Sequence, residues 1–185
     1  MLRVVKLCKS YEHAVLSDFS YDFPDRGLFL LKGESGRGKT TLLRLLAGLE
    51  RPDRGEILRA EDAVISAVFQ EARLVPHLSL LDNLLLVSKK KDKRRAMEIL
   101  TRLRLAEAAH KKPPALSGGM KQRGAIARSI YYGGSIYLWD EPTGELDPEN
   151  RRIVWEYAAQ LAENALVICV THDRDLRDGT VIELK

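Results

Sequence analysis

Eight residues with three glycines and one lysine stand between an apolar run and a leucine-rich stretch. They read GESGRGKT, from Gly33 to Thr40, and match the pattern G-x-x-x-x-G-K-[ST]. Glycines let backbone N–H groups converge on an anion, and the start of the next helix adds unpaired N–H donors. Lys39 can reach the β- and γ-phosphates, and the Thr40 hydroxyl can ligate Mg²⁺. The stretch therefore predicts a site for the phosphates of a nucleoside triphosphate.

The predicted nucleotide contacts of this loop extend one residue into the following helix. They are Gly33, Glu34, Ser35, Gly36, Arg37, Gly38, Lys39, Thr40 and Thr41. The alternative is a chance match in a glycine-containing turn, which a chain of this length meets in about half a percent of cases. The apolar run before the loop and the helical spacing of leucines after it are the flanks that a phosphate-binding loop requires.

Two adjacent carboxylates follow a second apolar run. Ile136 to Trp139 read as a buried strand that ends in Asp140 and Glu141, and Pro142 stops the strand at once. At the carboxyl edge of a sheet both carboxylates can lie around one phosphate. We expect Asp140 to hold the Mg²⁺ ion and Glu141 to polarise the attacking water or accept its proton. A solvated acidic turn is the alternative for this pair taken alone.

A third candidate begins a helix that is rich in basic residues. Ser117, Gly118 and Gly119 stand immediately before that helix. A serine N-cap followed by bare glycine amides can bind an anion at a helix start. The same three residues can equally be a flexible turn that caps a helix, and composition does not decide between these interpretations.

The apolar pattern indicates the elements that must position these residues. Alternating side chains in residues 2–8 and 15–23 predict antiparallel strands, whereas continuous apolar runs predict strands buried on both faces of a parallel sheet. The continuous runs are Leu28–Leu31, Val64–Phe69, Ile136–Trp139 and Leu166–Val170. Helical spacing occurs around residues 42–49, 96–103, 126–130 and 154–161. The alternation of strands and helices predicts an α/β fold.

Length and composition limit what the chain can be. It has 185 residues, 45% hydrophobic and 30% charged, with a formal net charge of +4. This favours one domain, 1–185. No apolar run approaches the ~20 residues of a membrane-spanning helix and the first residues lack a secretory pattern, so we expect a cytosolic chain. Cys8 and Cys169 are expected to be small core residues.

A family resemblance helps to interpret the third candidate, the turn of Ser117, Gly118 and Gly119. Leu116, Ser117, Gly118, Gly119 and Gln122 resemble the signature of the ATP-binding cassette (ABC) ATPases. Other motifs of that family appear in the family's order along nearly the whole chain. The residues concerned are Tyr11, Gln70, Asp147 and His172. This collinearity favours the second anion site over the simple capped turn.

The resemblance implies a role for each of these residues. Tyr11 sits where the family stacks an aromatic ring on adenine. Gln70 resembles the Q-loop glutamine, which senses Mg²⁺ and the transmembrane partner. Asp147 resembles the D-loop aspartate that contacts the other subunit. His172 resembles the switch histidine that touches the γ-phosphate. The expected catalytic set is Lys39, Glu141 and His172, and the expected metal ligands are Thr40, Gln70 and Asp140.

The resemblance also implies a fold and a set of partners. The expected fold is a P-loop NTPase core with a mostly parallel sheet, a small N-terminal antiparallel β subdomain and a helical signature-bearing subdomain at approximately 72–120. Two ATPase subunits, identical or paralogous, would sandwich ATP and Mg²⁺ between Gly33–Thr40 of one and Ser117–Gly119 of the other. Separate transmembrane permease subunits, and optionally a solute-binding protein, complete the expected partners at the cytoplasmic face of the membrane. No nucleic acid is expected.

Two functions remain open at this point. The segment FQEARLVPHLSLLDN together with LSGGMKQR is similar to ATPase subunits of bacterial importers for nitrate, sulfonates, taurine and related small anions. The alternative is a soluble cassette protein acting on nucleic acid or ribosomes. That class usually carries a second cassette, a long coiled-coil insertion or zinc motifs, and the sequence contains none of these. A phosphate-loop kinase is disfavoured because no acceptor site or lid is evident.

Three stretches raise further expectations. Gly144 and Glu145 stand in TGELD where serine and alanine are common in the family, which places a glutamate at the expected dimer interface. Leu74 and Val75 begin an apolar stretch that we expect to be partly core and partly a groove for a helix of the membrane subunit. The basic run of residues 89–95 is expected to be a solvated loop and helix start, with anionic lipid or nucleic acid as alternative contacts.

Overall fold

Strands and helices alternate along most of the chain. The computed structural model describes residues 2–173 and 179–184. In these residues the chain forms, in order, β1 (Leu2–Ser10), β2 (Ala14–Phe23), β3 (Gly27–Lys32), α1 (Lys39–Leu46), β4 (Arg54–Arg59), β5 (Ile65–Val68), α2 (Leu80–Leu85), α3 (Lys93–Arg102), 3₁₀ helices at Ala106–Ala108 and Pro113–Ala115, α4 (Gly118–Tyr132), β6 (Ile136–Asp140), α5 (Pro148–Ala162), β7 (Leu166–Val170) and β8 (Thr180–Glu183).

Two sheets organise these elements. The larger sheet has the strand order β5-β6-β7-β3-β8, and all its described pairs are parallel. The smaller sheet has the order β2-β1-β4 and is antiparallel. This arrangement confirms the predicted α/β fold, with a parallel sheet and an N-terminal antiparallel one.

The three central strands of the parallel sheet, β6, β7 and β3, are buried on both faces. In β6, Ile136 and Leu138 pack on one side with α1 and the antiparallel sheet, whereas Tyr137 and Trp139 pack on the other side with α2 to α5. Successive side chains of a strand point to opposite faces, so an unbroken apolar run is what such a strand needs. This confirms the prediction of doubly covered strands for Leu28–Leu31, Ile136–Trp139 and Leu166–Val170. It is wrong for Val64–Phe69, which contains the edge strand β5 and exposes Val64 and Ala67.

Strand register brings three loops to one edge of the parallel sheet. Val170, the last residue of β7, pairs with Leu31 of β3 on one side and with Asp140 of β6 on the other. The segments after these strands therefore leave the sheet side by side. They are the glycine-rich loop, the acidic pair and the turn that carries His172.

Residues 72–120 contain α2, α3 and the 3₁₀ helices, which pack together with α4. The leucines of α2 are buried, which confirms that part of the apolar stretch is core. Leu74 packs at the border of the same core, and the backbone of Val75 is bonded to the buried Asn83 side chain. Whether this segment is a separate subdomain stays a prediction.

The cysteine expectation is only half right. Cys169 is fully buried, with a pKa raised by burial. Cys8 is half-buried, and its sulfur lies 3.4 Å from the Asp18 carboxylate. Among the described residues, no helix is both long and apolar enough to cross a membrane.

Candidate nucleotide-binding site

The glycine-rich loop takes a backbone shape that depends on glycine. Gly33 and Gly38 have φ values of 147° and 77°, in the region that other residues avoid. A Cβ on Gly38 would meet Val15 at 2.8 Å, and one on Gly33 would meet the carbonyl oxygen of Leu184 at 2.7 Å. Gly38 also supplies the left-handed turn from which α1 starts. The loop thus leads directly into the N-terminus of a helix, as predicted.

Lys39 is folded over this loop. Its side chain is buried, and Nζ donates hydrogen bonds of 2.8 Å to the carbonyl oxygens of both Gly33 and Glu34. The ammonium group is therefore held where the loop curls around it. Phosphate oxygens can replace these carbonyl oxygens as acceptors without a large movement of the side chain.

Asp140 is buried at the end of β6 beside this lysine. Neither of its carboxylate oxygens has a hydrogen bond of good geometry within the described residues, although the Thr40 hydroxyl is close enough to act on the carboxylate. Burial raises the Asp140 pKa, while the Thr40 hydroxyl and the charges of Arg44 and Lys39 act in the opposite direction. A buried carboxylate beside a hydroxyl is a donor set that suits a hard cation such as Mg²⁺. The structure thus brings together the predicted ligands Thr40 and Asp140.

Glu141 faces His172 across the edge of the sheet. Its backbone has φ of 48°, and its N–H donates to the Val170 carbonyl oxygen at 2.9 Å. Its Oε1 lies 3.4 Å from Nε2 of His172, and its side chain is 33% exposed. Gln70, the exposed residue two positions after β5, lines a pocket together with Glu141. Glu141 therefore lines one pocket with Gln70 and a second pocket with His172.

Tyr11 lies in the turn between β1 and β2, near Thr41 at the start of α1. Its ring is 56% exposed, and the Lys9 ammonium lies 5.5 Å from the ring centroid. Its hydroxyl donates to the Glu50 carboxylate, which raises the Tyr11 pKa, while the nearby Thr41 hydroxyl lowers it. An exposed aromatic ring can stack on a base, and the adenine contact expected of Tyr11 stays a prediction. The sequence pattern gave no sign of the contact with Glu50.

Ser117 caps α4, as its position before the helix predicted. Its hydroxyl accepts a hydrogen bond of 3.3 Å from the backbone N–H of Met120. Gly118 is exposed and Gly119 is half-exposed at the helix start. The buried residues of α4 pack on the opposite face of the parallel sheet from those of α1. The two predicted anion sites of one chain therefore belong to helices on different faces.

Asp147 has a structural contact of its own. Its carboxylate caps α5 by accepting hydrogen bonds of 2.9 Å and 2.6 Å from the backbone and side chain of Asn150, and these bonds lower its pKa. Two residues further on, Glu149 forms a salt bridge of 2.6 Å with Arg104, in the turn after α3. This capping role was not predicted from the sequence, although aspartate before proline at a helix start is a typical N-cap signal.

The fold and the site define a P-loop ATPase whose signature-type helix start lies apart from its phosphate loop. The family profile described as "ABC transporter" matches residues 16–144. The chain belongs to this family, and it is an ATP-binding and ATP-hydrolysing subunit of the ABC transporter type.

Curated relatives agree with this assignment. The aliphatic sulfonates import ATP-binding protein SsuB 1 of Paracoccus denitrificans is 38% identical over 93% of the chain and 77% of its own length. The SsuB protein of Delftia acidovorans is 39% identical over 91% of the chain and 76% of its own length.

Solved structures have the same fold. The cassette MJ0796 in a dimeric post-hydrolysis state with ADP and Pi has a TM-score of 0.90 and 29% identity, covering 100% of this chain and 94% of the other. A second dimeric structure of MJ0796, described as a bacterial ABC transporter cassette, has a TM-score of 0.90 and 30% identity, with the same coverage. The alternative of a cassette acting on nucleic acid or ribosomes is not favoured by these likenesses.

Proposed function

We propose that two ATPase subunits of this kind, identical or paralogous, clamp ATP between them and energise the import of a small sulfonate-like anion. One observation supports this ATP-binding pair of subunits most directly. The helix starts at Lys39 and Ser117 belong to helices on opposite faces of the parallel sheet. A second copy turned head to tail can present its Ser117 turn to the nucleotide on the first. The dimeric cassettes among the structural neighbours support this pairing. The cargo class rests on the names of the curated relatives.

The nucleotide contacts follow from the site. Residues 33–41 wrap the phosphates with backbone N–H groups, and Lys39 exchanges its two carbonyl acceptors for phosphate oxygens. Tyr11 stacks on adenine. Ser117, Gly118 and Gly119 of the second subunit donate to the γ-phosphate from the N-terminus of α4. Asp147 reaches the second subunit from the turn before α5.

Mg²⁺ is the cation that we assign to Thr40, Asp140 and Gln70. It would neutralise phosphate charge and orient the β- and γ-phosphates. Asp140 supplies a carboxylate whose oxygens have no other donor among the described residues, and Thr40 supplies a hydroxyl. Gln70 is exposed at the end of a neighbouring strand, so its amide can approach the ion from the side of Glu141.

Glu141 is the base that we assign to hydrolysis. It accepts a proton from the attacking water while the water oxygen bonds to the γ-phosphorus and the bond to the bridging oxygen of ADP breaks. We assign one ring nitrogen of His172 to the γ-phosphate and the other, Nε2, to the Glu141 carboxylate, since Nε2 is already 3.4 Å from Oε1. Once the shared γ-phosphate is released, the two subunits lose the anion that joins them.

The membrane partners are separate permease subunits, with a solute-binding protein as an optional further partner. We place the ATPase at the cytoplasmic face, as a peripheral subunit. Leu74 and Val75 lie at the border of the segment 72–120, where Leu74 packs on the core and backbone hydrogen bonds join Val75 to the Asn83 side chain. We expect a helix of the permease to dock there. Leu74→Glu should abolish copurification with the permease and spare ATP binding.

The clamp is tested with Glu141→Gln, which keeps the shape of the base and removes its proton affinity. Bound ATP should then convert monomers into a dimer visible by size exclusion with light scattering, and ATP hydrolysis should be lost. Glu163→Gln, an exposed change after α5, is the matched control and should hydrolyse ATP like the parent. A variant at Glu141 that turns over ATP at the parental rate would remove Glu141 from the mechanism.

The transport assignment needs a separate test. Affinity purification from detergent-solubilised membranes should recover a polytopic permease, and the complex in proteoliposomes should take up a labelled alkanesulfonate only with ATP inside. Recovery of ribosomes or DNA in place of a permease would favour the alternative function. Uptake of sulfate but not of sulfonates would overturn the cargo class and leave the ATPase intact.

A further inference from the structure

Asp173, the residue after His172, is anchored more firmly than its neighbour. Its carboxylate is 8% exposed, whereas the His172 side chain is 57% exposed. Trp155 donates its indole N–H to Oδ2 of Asp173 at 3.1 Å, and Nε of Arg151 lies 3.6 Å from the same oxygen. The backbone N–H of Asp173 donates to the Thr171 hydroxyl at 3.0 Å. An exposed histidine is thus attached to a buried and bonded aspartate.

Both anchoring side chains come from α5. Arg151 and Trp155 are four residues apart, so they lie one above the other on a single face of the helix. This helix starts at the loop that we expect to contact the second subunit. Arg151 also donates to the carbonyl oxygen of Leu146 in that loop, at 3.4 Å. One guanidinium therefore contacts both the loop before α5 and the residue after His172.

The contacts of Asp173 extend through His172 to Glu141, the general base that we assign to hydrolysis. His172 lies 3.4 Å from Glu141, and one pocket is lined by Glu141, Gly144, Arg151, Thr171, His172 and Asp173. A shift of α5 moves the two side chains that contact Asp173. Because His172 directly precedes Asp173, the shift also changes the position of the His172 imidazole relative to Glu141. The alternative is that Asp173 only stabilises the fold.

We propose that Asp173, Arg151 and Trp155 are positioning residues that set His172 against Glu141 and link that setting to the subunit-contacting loop at Leu146. The proposal rests on the roles proposed above for His172 and Glu141. None of the three residues is required to touch the nucleotide. Their effect is on the rate of the hydrolytic step rather than on the affinity for ATP.

The test compares three conservative variants with one control. Trp155→Phe keeps the ring and removes the N–H donor, Arg151→Gln removes the shared charge, and Asp173→Asn keeps the size of the anchor. Each should lower kcat about fivefold to tenfold and change KM for ATP less than about twofold. Arg152→Gln is the control, because Arg152 pairs with the exposed Glu156 at 2.9 Å. It should leave both constants unchanged.

A second readout does not depend on turnover. The chain has four histidines, so the ring signal of His172 can be assigned by NMR with a His172→Gln sample. Trp155→Phe and Asp173→Asn should shift this signal and leave those of His13, His77 and His110 in place. If the parent lacks ATPase activity but the His172 signal shifts, the positioning contact stands and the proposed function fails.

Two results would overturn the positioning role. One is a parental kcat and an unshifted His172 signal in folded Trp155→Phe and Asp173→Asn proteins. The other is a uniform loss of kcat, ATP affinity and thermal midpoint in all three variants, which would make the contacts purely structural. A variant that does not fold is replaced by the milder Arg151→Lys, for which the same split of kcat from KM is expected.

Discussion

The Oε2 atom of Glu145 occupies the space that a Cβ on Gly118 would take. A carboxylate from the loop before α5 thus lies against the helix start of its own signature-type turn. Leu146, the next residue, packs against Gly119 in the same way, 3.2 Å from the place of its Cβ. The N-terminus of α4 carries partial positive charge, which attracts the Glu145 carboxylate. In the proposed clamp the same place binds the γ-phosphate of the ATP that the second subunit holds.

Removing the Glu145 charge should strengthen ATP-dependent pairing. Glu145→Gln keeps the size of the side chain, so any gain comes from the charge. We expect the ATP concentration for half-maximal dimer formation, measured by light scattering in the Glu141→Gln background, to fall about twofold to fivefold at low salt. The gain should shrink as ionic strength rises, since exposed charges are screened.

Glu145→Ala separates charge from bulk in the same assay. An improvement with alanine alone, and none with glutamine, would show that Glu145 only obstructs the space at Gly118. Glu163→Gln again serves as the control, because it removes one exposed carboxylate far from α4 in sequence. Equal pairing in all four proteins would contradict the electrostatic argument.

Lys39→Ala should remove nucleotide binding rather than slow the chemistry. The ammonium group is buried and bonded to two loop carbonyl oxygens, so its loss takes away the positive charge at the centre of the loop. We expect ATP affinity, measured by isothermal calorimetry, to fall by roughly 100-fold. Lys121→Ala, on α4, is the control and should bind ATP like the parent. Parental affinity in Lys39→Ala would place the phosphates elsewhere.

The parts of the fold that the sequence predicted are those with a clear apolar pattern. The doubly buried strands were visible because their runs are unbroken. The strand β4 was not predicted because only one of its residues, Ile57, is partly buried and the other five are exposed. The helix α2 was missed because nearly all its six residues are buried, so it shows no helical period.

The site could be predicted only where a motif carries its own flanks. The phosphate loop and the acidic pair are local patterns, and the structure brings Asp140 close to Lys39 and Thr40. The bond from Tyr11 to Glu50 spans 39 residues, and the bond from Trp155 to Asp173 spans 18. Such contacts depend on how separate elements pack, and one sequence contains no periodic signal for them.

Asn83→Ala should destabilise the segment that we expect to meet the permease. Asn83 is fully buried, accepts a 2.7 Å hydrogen bond from the Val75 N–H, and donates to the carbonyl oxygens of Val75, Leu78 and Ser79. Its loss leaves buried backbone groups without partners, at a cost of about 2–4 kcal/mol in the free energy of unfolding. Urea denaturation measures this value. Asp82→Asn, at an exposed neighbouring position, should cost much less, and an equal loss in both would contradict the argument.

Asp140→Asn should make the nucleotide-free protein more stable at neutral pH. Burial raises the Asp140 pKa above its unfolded value, so the folded state binds the proton more tightly. Its contribution to stability is therefore fully present below the unfolded pKa and is lost as pH rises through the folded pKa. The ionised Asp140 carboxylate is a buried charge that the Thr40 hydroxyl, Lys39 and Arg44 offset only in part, whereas the amide carries no charge. We expect a gain of about 1 kcal/mol from urea denaturation without Mg²⁺.

The same substitution should reverse sign when ligand is added. Mg²⁺ with ATP supplies the cation that the Asp140 carboxylate lacks, so the parent should gain stability from the pair and Asp140→Asn should gain less. The advantage of the variant in the nucleotide-free state should also shrink towards acid pH, because the parental carboxylate becomes protonated there. Asp173→Asn is a useful comparison, because the Asp173 carboxylate already accepts a hydrogen bond from Trp155. This variant should be less stable than the parent. A parent that is more stable than Asp140→Asn at neutral pH without ligand would mean that the carboxylate is satisfied within the fold, and the argument for a cation at Thr40 and Asp140 would fail.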